Sequence, residues 1–222
     1  MPFLYPTDQP RVFAHRGLSI AADGSAIDEN TIPAFARALE VGAHYIESDI
    51  QVTSDGVPVL FHDDDLSRVA GVPSPVGKLT LAELQEIRLE HGGQIPTLVE
   101  ALREFPATRF NLDFKSVSSI LAGTAAISSI GAQGRVLVAS FSDARRLAAL
   151  NKLPGAATSA GASMSTRWLG NSINSSNHHF DSCVRSAPFP GIPGSSTWSK
   201  AETRSLATMR INPLVPVSPS GA

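Results

Sequence analysis

Hydrophobic and polar positions along the first three quarters of the chain follow two alternating periods. Short strand-like runs occur at "RVFAHRG" (11–17), "YIESDIQV" (45–52), "VPVLFHD" (57–63), "RFNLDFK" (109–115) and "RVLVASF" (135–141). Between most of them, apolar residues recur at three- and four-residue spacing. These helical patterns are "TIPAFARALEVG" (31–42), "LTLAELQEIRL" (79–89), "TLVEALREF" (97–105) and "SDARRLAALNKL" (142–153). Thr31 suits a helix cap, Gly42 suits a helix stop, and Ser142 or Asp143 opens the last helix. Strands alternating with helices predict an α/β fold with a parallel sheet. No G-x-G-x-x-G turn follows a strand, which argues against a dinucleotide-binding sheet. Polar residues recur at the C-terminal ends of several strands, where (β/α)8 TIM barrels keep their chemistry. The predicted fold is therefore of the (β/α)8 TIM-barrel type.

Even with "GAATSAG" (155–161) as a weak sixth strand, the eight of a closed barrel are not reached. From residue 171 the chain turns to "NSINSSNHHFDSCVRSAPFPGIPGSSTWSK", rich in Ser, Asn, Pro and Gly, and it ends in a Pro-interrupted segment. Residues 1–170 are thus expected to form a barrel portion. Residues 171–222 are expected to be a low-order tail in place of the last barrel units, leaving the barrel incomplete or aberrant at its C-terminus.

Composition narrows the function classes. The 222 residues are 42% apolar and 17% charged, a globular composition. A net charge of -2 and a pI near 6.3 give no basic footprint for nucleic acid or an anionic membrane. The single cysteine, Cys183, excludes an internal disulfide or a multi-cysteine zinc site. No apolar run is long enough to span a bilayer and no secretion signal is visible, so a cytoplasmic location is expected.

The candidate chemistry lies at strand ends. Glu47 and Asp49 are two apart on one strand and share a face if Ile46, Ile50 and Val52 occupy the other. Convergent carboxylates suit a hard divalent cation such as Mg2+ or Ca2+; a solvated acidic strand face is the alternative. Asp113, from another strand, adds a third carboxylate, and Lys115 on the same face would bind a substrate anion or neutralise the acids. His15 and His62 each end a predicted strand and could exchange protons as acid and base, although either alone could simply bond a loop. Arg16 offers a planar fork for a phosphate oxygen. Glu29 and Asn30 precede the first helix and would either prepare its cap or orient Arg16 or a histidine. Asp55–Gly56 reads as a tight turn, and His44, His91, His178 and His179 as structural or surface residues.

Taken together and in order, "HRG" (15–17), "ENT" (29–31), "ESD" (47–49), "DGVPVLFHD" (55–63), "IPTLVEAL" (95–102), "NLDFK" (111–115) and "VASFS" (138–142) resemble the glycerophosphodiester phosphodiesterase family. The resemblance spans residues 11 to about 165. It implies a (β/α)8 barrel and hydrolysis of a small-molecule glycerophosphodiester to glycerol 3-phosphate and an alcohol. It further implies His15 and His62 as the acid/base pair, Glu47, Asp49 and Asp113 as ligands of Mg2+ or Ca2+, and Arg16 and Lys115 on the phosphate. Asp113 stands where many members carry Glu. The family's last β/α units have no counterpart in the tail. A phospholipase D-like lyase on the same scaffold and a member without turnover are the alternative readings.

Overall fold

The alternation in "YIESDIQV" sorts its side chains onto two faces, and the sheet is built around that strand. In this computed structural model the described residues are 3–4, 11–159 and, for the backbone alone, 206–208. Apart from 206–208, the tail expected over 171–222 lies outside them, as do His178, His179 and Cys183. In chain order the strands are β1 (Val12–His15), β2 (Tyr45–Val52), β3 (Pro58–Leu60), β4 (Asp65–Leu66), β5 (Val72–Pro75), β6 (Arg109–Phe114), β7 (Val136–Ala139), β8 (Ala157–Thr158) and β9 (Leu206–Thr208). The α-helices are α1 (Ile32–Glu40), α2 (Ser67–Ala70), α3 (Leu81–Glu86), α4 (Leu98–Glu104), α5 (Val117–Ser129) and α6 (Asp143–Lys152).

The main sheet runs β8-β7-β6-β2-β1-β9. Every pairing from β1 through β2, β6 and β7 to β8 is parallel, giving five consecutive staves of a TIM-barrel-type fold. On the far side of β1, β9 pairs antiparallel, with Phe13 opposite Ala207.

One expected stave is not a stave. The run at 57–63 supplies β3, which pairs antiparallel with the end of β2, Ile50 opposite Leu60 and Val52 opposite Pro58. The Asp55–Gly56 turn explains this, with Gly56 in the left-handed region at φ 85° and its N–H donating to Thr53 O. A turn that short can only return the chain, because a parallel neighbour needs a crossover of about a dozen residues or more. His62 therefore lies two residues beyond a hairpin strand, not at the end of a barrel stave.

The two sheet faces carry different chemistry. Ala14, Ile46, Ile50, Phe110, Leu112, Phe114, Val136 and Val138 face the helices and pack on Phe35, Ala38, Leu102, Ile127 and Leu153 in the main core. Each fully buried large side chain contributes up to about 1.5–3 kcal/mol. On the opposite face Phe13, Tyr45 and Leu137 form a small aromatic-lined floor with Phe3, the Phe13 and Tyr45 rings stacked at 4.3 Å. Two residues further along the same face come His15 and Glu47, and then Asp49 opposite Asp113. A third apolar cluster, including Val59, Phe61, Val69, Leu84 and Ile95, seats residues 64–95 against the hairpin.

Local signals set the helix starts. Thr31 caps α1, accepting from Ala34 N at 3.3 Å, and Ser142 caps α6. Thr80 and Thr97 head complete capping boxes with Glu83 and Glu100. Gly17 allows β1 to lead directly under α1. Its φ is 87°, and a Cβ there would stand 2.7 Å from the Ala34 carbonyl carbon. Gly17→Ala is accordingly expected to destabilise the fold by about 2–4 kcal/mol, read as a lowered urea midpoint.

Candidate active site

Parallel register assembles the acidic layer. Glu47 lies opposite His15 on one side and Asn111 on the other, and Asp49 lies opposite Asp113. Because these positions share the face away from the helices, the carboxylates of Glu47, Asp49 and Asp113 collect in one layer above the aromatic floor. Asp49 is 3% exposed and Asp113 7%, so their charges are held in a poorly solvated place. Lys115 Nζ answers both, at 2.8 Å from Asp49 Oδ1 and 3.0 Å from Asp113 Oδ2. Its pKa is raised: burial opposes the charge, but the two carboxylates outweigh it. Of the roles open to Lys115, neutralising the acids is the one its contacts display. Arg16 Nε adds a longer approach to Asp49 Oδ2, at 3.7 Å.

Glu47 lacks such a partner. Its pKa is pushed well above the ordinary 4.5, first by burial and then by the neighbouring charge of Asp49. His15 Nε2 stands 3.9 Å from Glu47 Oε2. The His15 pKa is lowered, by burial first and by Arg16 next, which favours the neutral ring.

The second histidine belongs to a different network. The hairpin returns along β2, with Phe61 N donating to Asp49 O at 3.0 Å, and so brings His62 within electrostatic reach of His15. His62 Nδ1 lies 2.6 Å from Asp63 Oδ1, and Arg68 Nε donates to Asp63 Oδ2 at 2.6 Å. Arg68 Nη2 also donates to Glu29 Oε1, which accepts from Arg16 Nη1 at 3.0 Å as well. Asp63 and Glu29 both have lowered pKa values, because these hydrogen bonds outweigh the cost of burial.

Backbone geometry holds Arg16 and Asn30 together. Both adopt left-handed conformations, φ 59° and 56°, uncommon for residues with a side chain. Asn30 N donates to Arg16 O at 2.9 Å, Arg16 N donates to Glu47 O at 3.0 Å, and Ser48 Oγ donates to Asn30 Oδ1 at 2.7 Å. Asn30 is therefore a linchpin of the loop. Glu29 contacts Arg16 through its carboxylate, and the side chain that caps the helix is Thr31.

All nine residues singled out from sequence lie in this region: His15, Arg16, Glu29, Asn30, Glu47, Asp49, His62, Asp113 and Lys115. Of the other histidines, His44 accepts from Val12 N through Nδ1 and is structural, as expected. Asp63, Arg68 and Ser48 were not read as site residues. Asp63 carried a signal, a carboxylate adjoining a candidate histidine. Arg68 carried none, since its partners are 5 and 39 residues away in the chain.

Glu47 Oε2, Asp49 Oδ2 and Asp113 Oδ1 are buried without a hydrogen-bond partner. Each such orphan costs about 1–3 kcal/mol, and a hard cation that takes oxygen ligands would satisfy all of them. The donor chemistry fits Mg2+ or Ca2+. Among the described residues, however, no three His, Cys, Asp or Glu side chains already stand close enough to enclose an ion.

Comparison with known proteins follows the same residues. The pattern of the glycerophosphoryl diester phosphodiesterase family matches residues 15–154. A Mycobacterium tuberculosis relative, "Probable glycerophosphodiester phosphodiesterase 2", is 36% identical over 157 residues, covering 70% of this chain and 58% of its own. A glycerophosphodiester phosphodiesterase of Caldanaerobacter subterraneus is 34% identical over 144 residues, 59% of this chain and 57% of that protein. Among solved structures, a glycerophosphoryl diester phosphodiesterase domain from M. tuberculosis superposes with a TM-score of 0.62 at 27% identity, covering 71% of this chain and 62% of that one. An Oleispira antarctica phosphodiesterase, in complex with the product sn-glycerol-3-phosphate, gives 0.58 at 28% identity, covering 67% and 64%. The chain thus spans a little over half the length of these two curated relatives.

Glu47 yields a prediction about stability. A carboxyl whose folded pKa is raised contributes stability below its unfolded value near 4.5 and loses it as pH rises through the folded value. In EDTA, Glu47→Gln is expected to be more stable than the parent at about pH 8, by roughly 1–3 kcal/mol, with the gap closing toward acid pH. Urea titrations at both ends of that range measure it.

Proposed function

The chain belongs to the glycerophosphoryl diester phosphodiesterase family, and on that premise we propose that it hydrolyses glycerophosphodiesters to glycerol 3-phosphate and an alcohol. One observation carries the reading. Three acids on adjacent parallel strands, each with a buried oxygen that has no hydrogen-bond partner, stand beside His15, with the His62–Asp63 pair within electrostatic reach of that ring. Glu47, Asp49 and Asp113 would hold Mg2+ or Ca2+, which when bound supplies positive charge for the phosphoryl oxygens and acidifies an adjacent hydroxyl. Lys115 and Arg16 would then be free to take phosphate oxygens, Arg16 as a fork and Lys115 as a point charge.

His15, kept neutral by burial and Arg16, accepts the proton of the glycerol hydroxyl as that oxygen bonds to phosphorus. His62, entering the cycle as the imidazolium, gives its Nε2 proton to the alcohol oxygen as that oxygen's bond to phosphorus breaks. Its Nδ1 stays on Asp63 throughout, so Nε2 is the exchanging atom. Water then opens the resulting cyclic phosphate, with His62 accepting its proton and His15 returning one to the glycerol oxygen. Both histidines end as they began, so the cycle balances.

The test is release of glycerol 3-phosphate from glycerophosphocholine by the full chain, with and without EDTA. Turnover abolished by EDTA and restored by Mg2+ or Ca2+ is expected. A cyclic product would point to a lyase instead, and no turnover by folded protein would sink the proposal. His15→Ala and His62→Ala should each lower turnover by about 10²–10⁴-fold while leaving the urea midpoint near that of the parent.

A further inference from the structure

We propose that Arg68 is a positioning residue of this site, orienting the His62 ring through Asp63 and tying that pair to Arg16 through Glu29. The inference rests on the function proposed above but adds a residue outside the acid, base and phosphate groups.

Asp63 is the link between Arg68 and His62. A carboxylate beside a histidine in sequence is not thereby aimed at it, because its own rotation would carry it into solvent. Here Arg68 Nε holds Asp63 Oδ2 at 2.6 Å, and this leaves Oδ1 against His62 Nδ1, also at 2.6 Å. An ionised carboxylate only accepts, so this contact makes Nδ1 the donor and leaves Nε2 as the nitrogen for proton exchange. The same guanidinium reaches Glu29 Oε1 through Nη2, and that oxygen also accepts from Arg16 Nη1. One side chain thus links the segment bearing His62 to the segment bearing His15 and Arg16.

The placement of Arg68 is itself built. It sits on α2, a single turn closed by Gly71 in the left-handed region at φ 66°, whose N–H donates to Ser67 O. The next residue, Val69, is buried in the apolar cluster that seats the hairpin. Arg68 is half exposed, and as an isolated surface ion pair it would add little stability. Its contribution is geometric: a planar fork fixes the directions of its bonds to the two carboxylates, where a lysine ammonium would act as a point charge.

Nitrogen NMR of the His62 imidazole in the full chain, assigned with a His62→Gln variant, provides a readout independent of turnover. At alkaline pH, where an imidazole is neutral, the parent ring should carry its one proton on Nδ1. Arg68→Met should move population to the Nε2–H form, and Arg68→Lys should fall between them. With glycerophosphocholine, Arg68→Met should lower kcat by about tenfold to a hundredfold, the scale of a misplaced catalytic group, with a smaller change in KM. Combined with Asp63→Asn, it should cost little more kcat than Asp63→Asn alone, because both changes break one path. An unchanged tautomer in Arg68→Met, or kcat losses that multiply in the double variant, would overturn the assignment. If the parent itself shows no turnover, the proposed function fails, and the tautomer comparison still decides the role of Arg68.

Discussion

Asp49 and Asp113 face each other across the parallel register of β2 and β6, and this places two carboxylates side by side where water barely reaches. Like charges so placed repel, and each loses solvation. The surroundings answer that constraint. Lys115, two residues beyond Asp113 on the same face, bridges both acids. Arg16 approaches Asp49 from the loop after β1, held there by a left-handed backbone and by Asn30. Glu47, one register step down, is left to find its own balance and shifts toward the protonated form. Lysine and arginine here form an internal set of counter-charges for a cluster that keeps buried oxygens without hydrogen-bond partners.

The second consequence of β2 is its length. It outruns β1, and its last residues are covered by the antiparallel return of β3. The hairpin converts a strand extension into a delivery arm, bringing Phe61 level with Asp49 and His62 one residue beyond it. Residues 64–95 pack onto that arm through their own apolar cluster and place Arg68 where it meets Asp63 and Glu29. Fold and site are therefore coupled through packing. The small cluster around Val69 and Phe61 aligns a charged network that would otherwise be a set of surface ion pairs.

Much of this was legible from sequence, for identifiable reasons. Period-two alternation in "YIESDIQV" sorted Glu47 and Asp49 from Ile46 and Ile50, and the structure keeps that sorting. Helix boundaries followed from local chemistry, with Thr31 and Ser142 as caps and Gly42 at the end of α1. The run at 57–63 has the composition of a stave yet pairs antiparallel, because apolar composition does not encode pairing direction. The short Asp55–Gly56 turn did encode it, since so short a link cannot make a crossover.

What the sequence by itself determined, then, is the set of chemical groups and the faces they occupy. Spacing of two along a strand and three or four along a helix is a local rule that needs no tertiary information. Tertiary structure alone decided which groups meet. The pairing of Asp49 with Asp113, the bridge of Lys115, and the path from His62 through Asp63 and Arg68 to Glu29 and Arg16 all join distant segments. Strand register and the packing of the hairpin set those distances, and neither is written in the local pattern of any one segment.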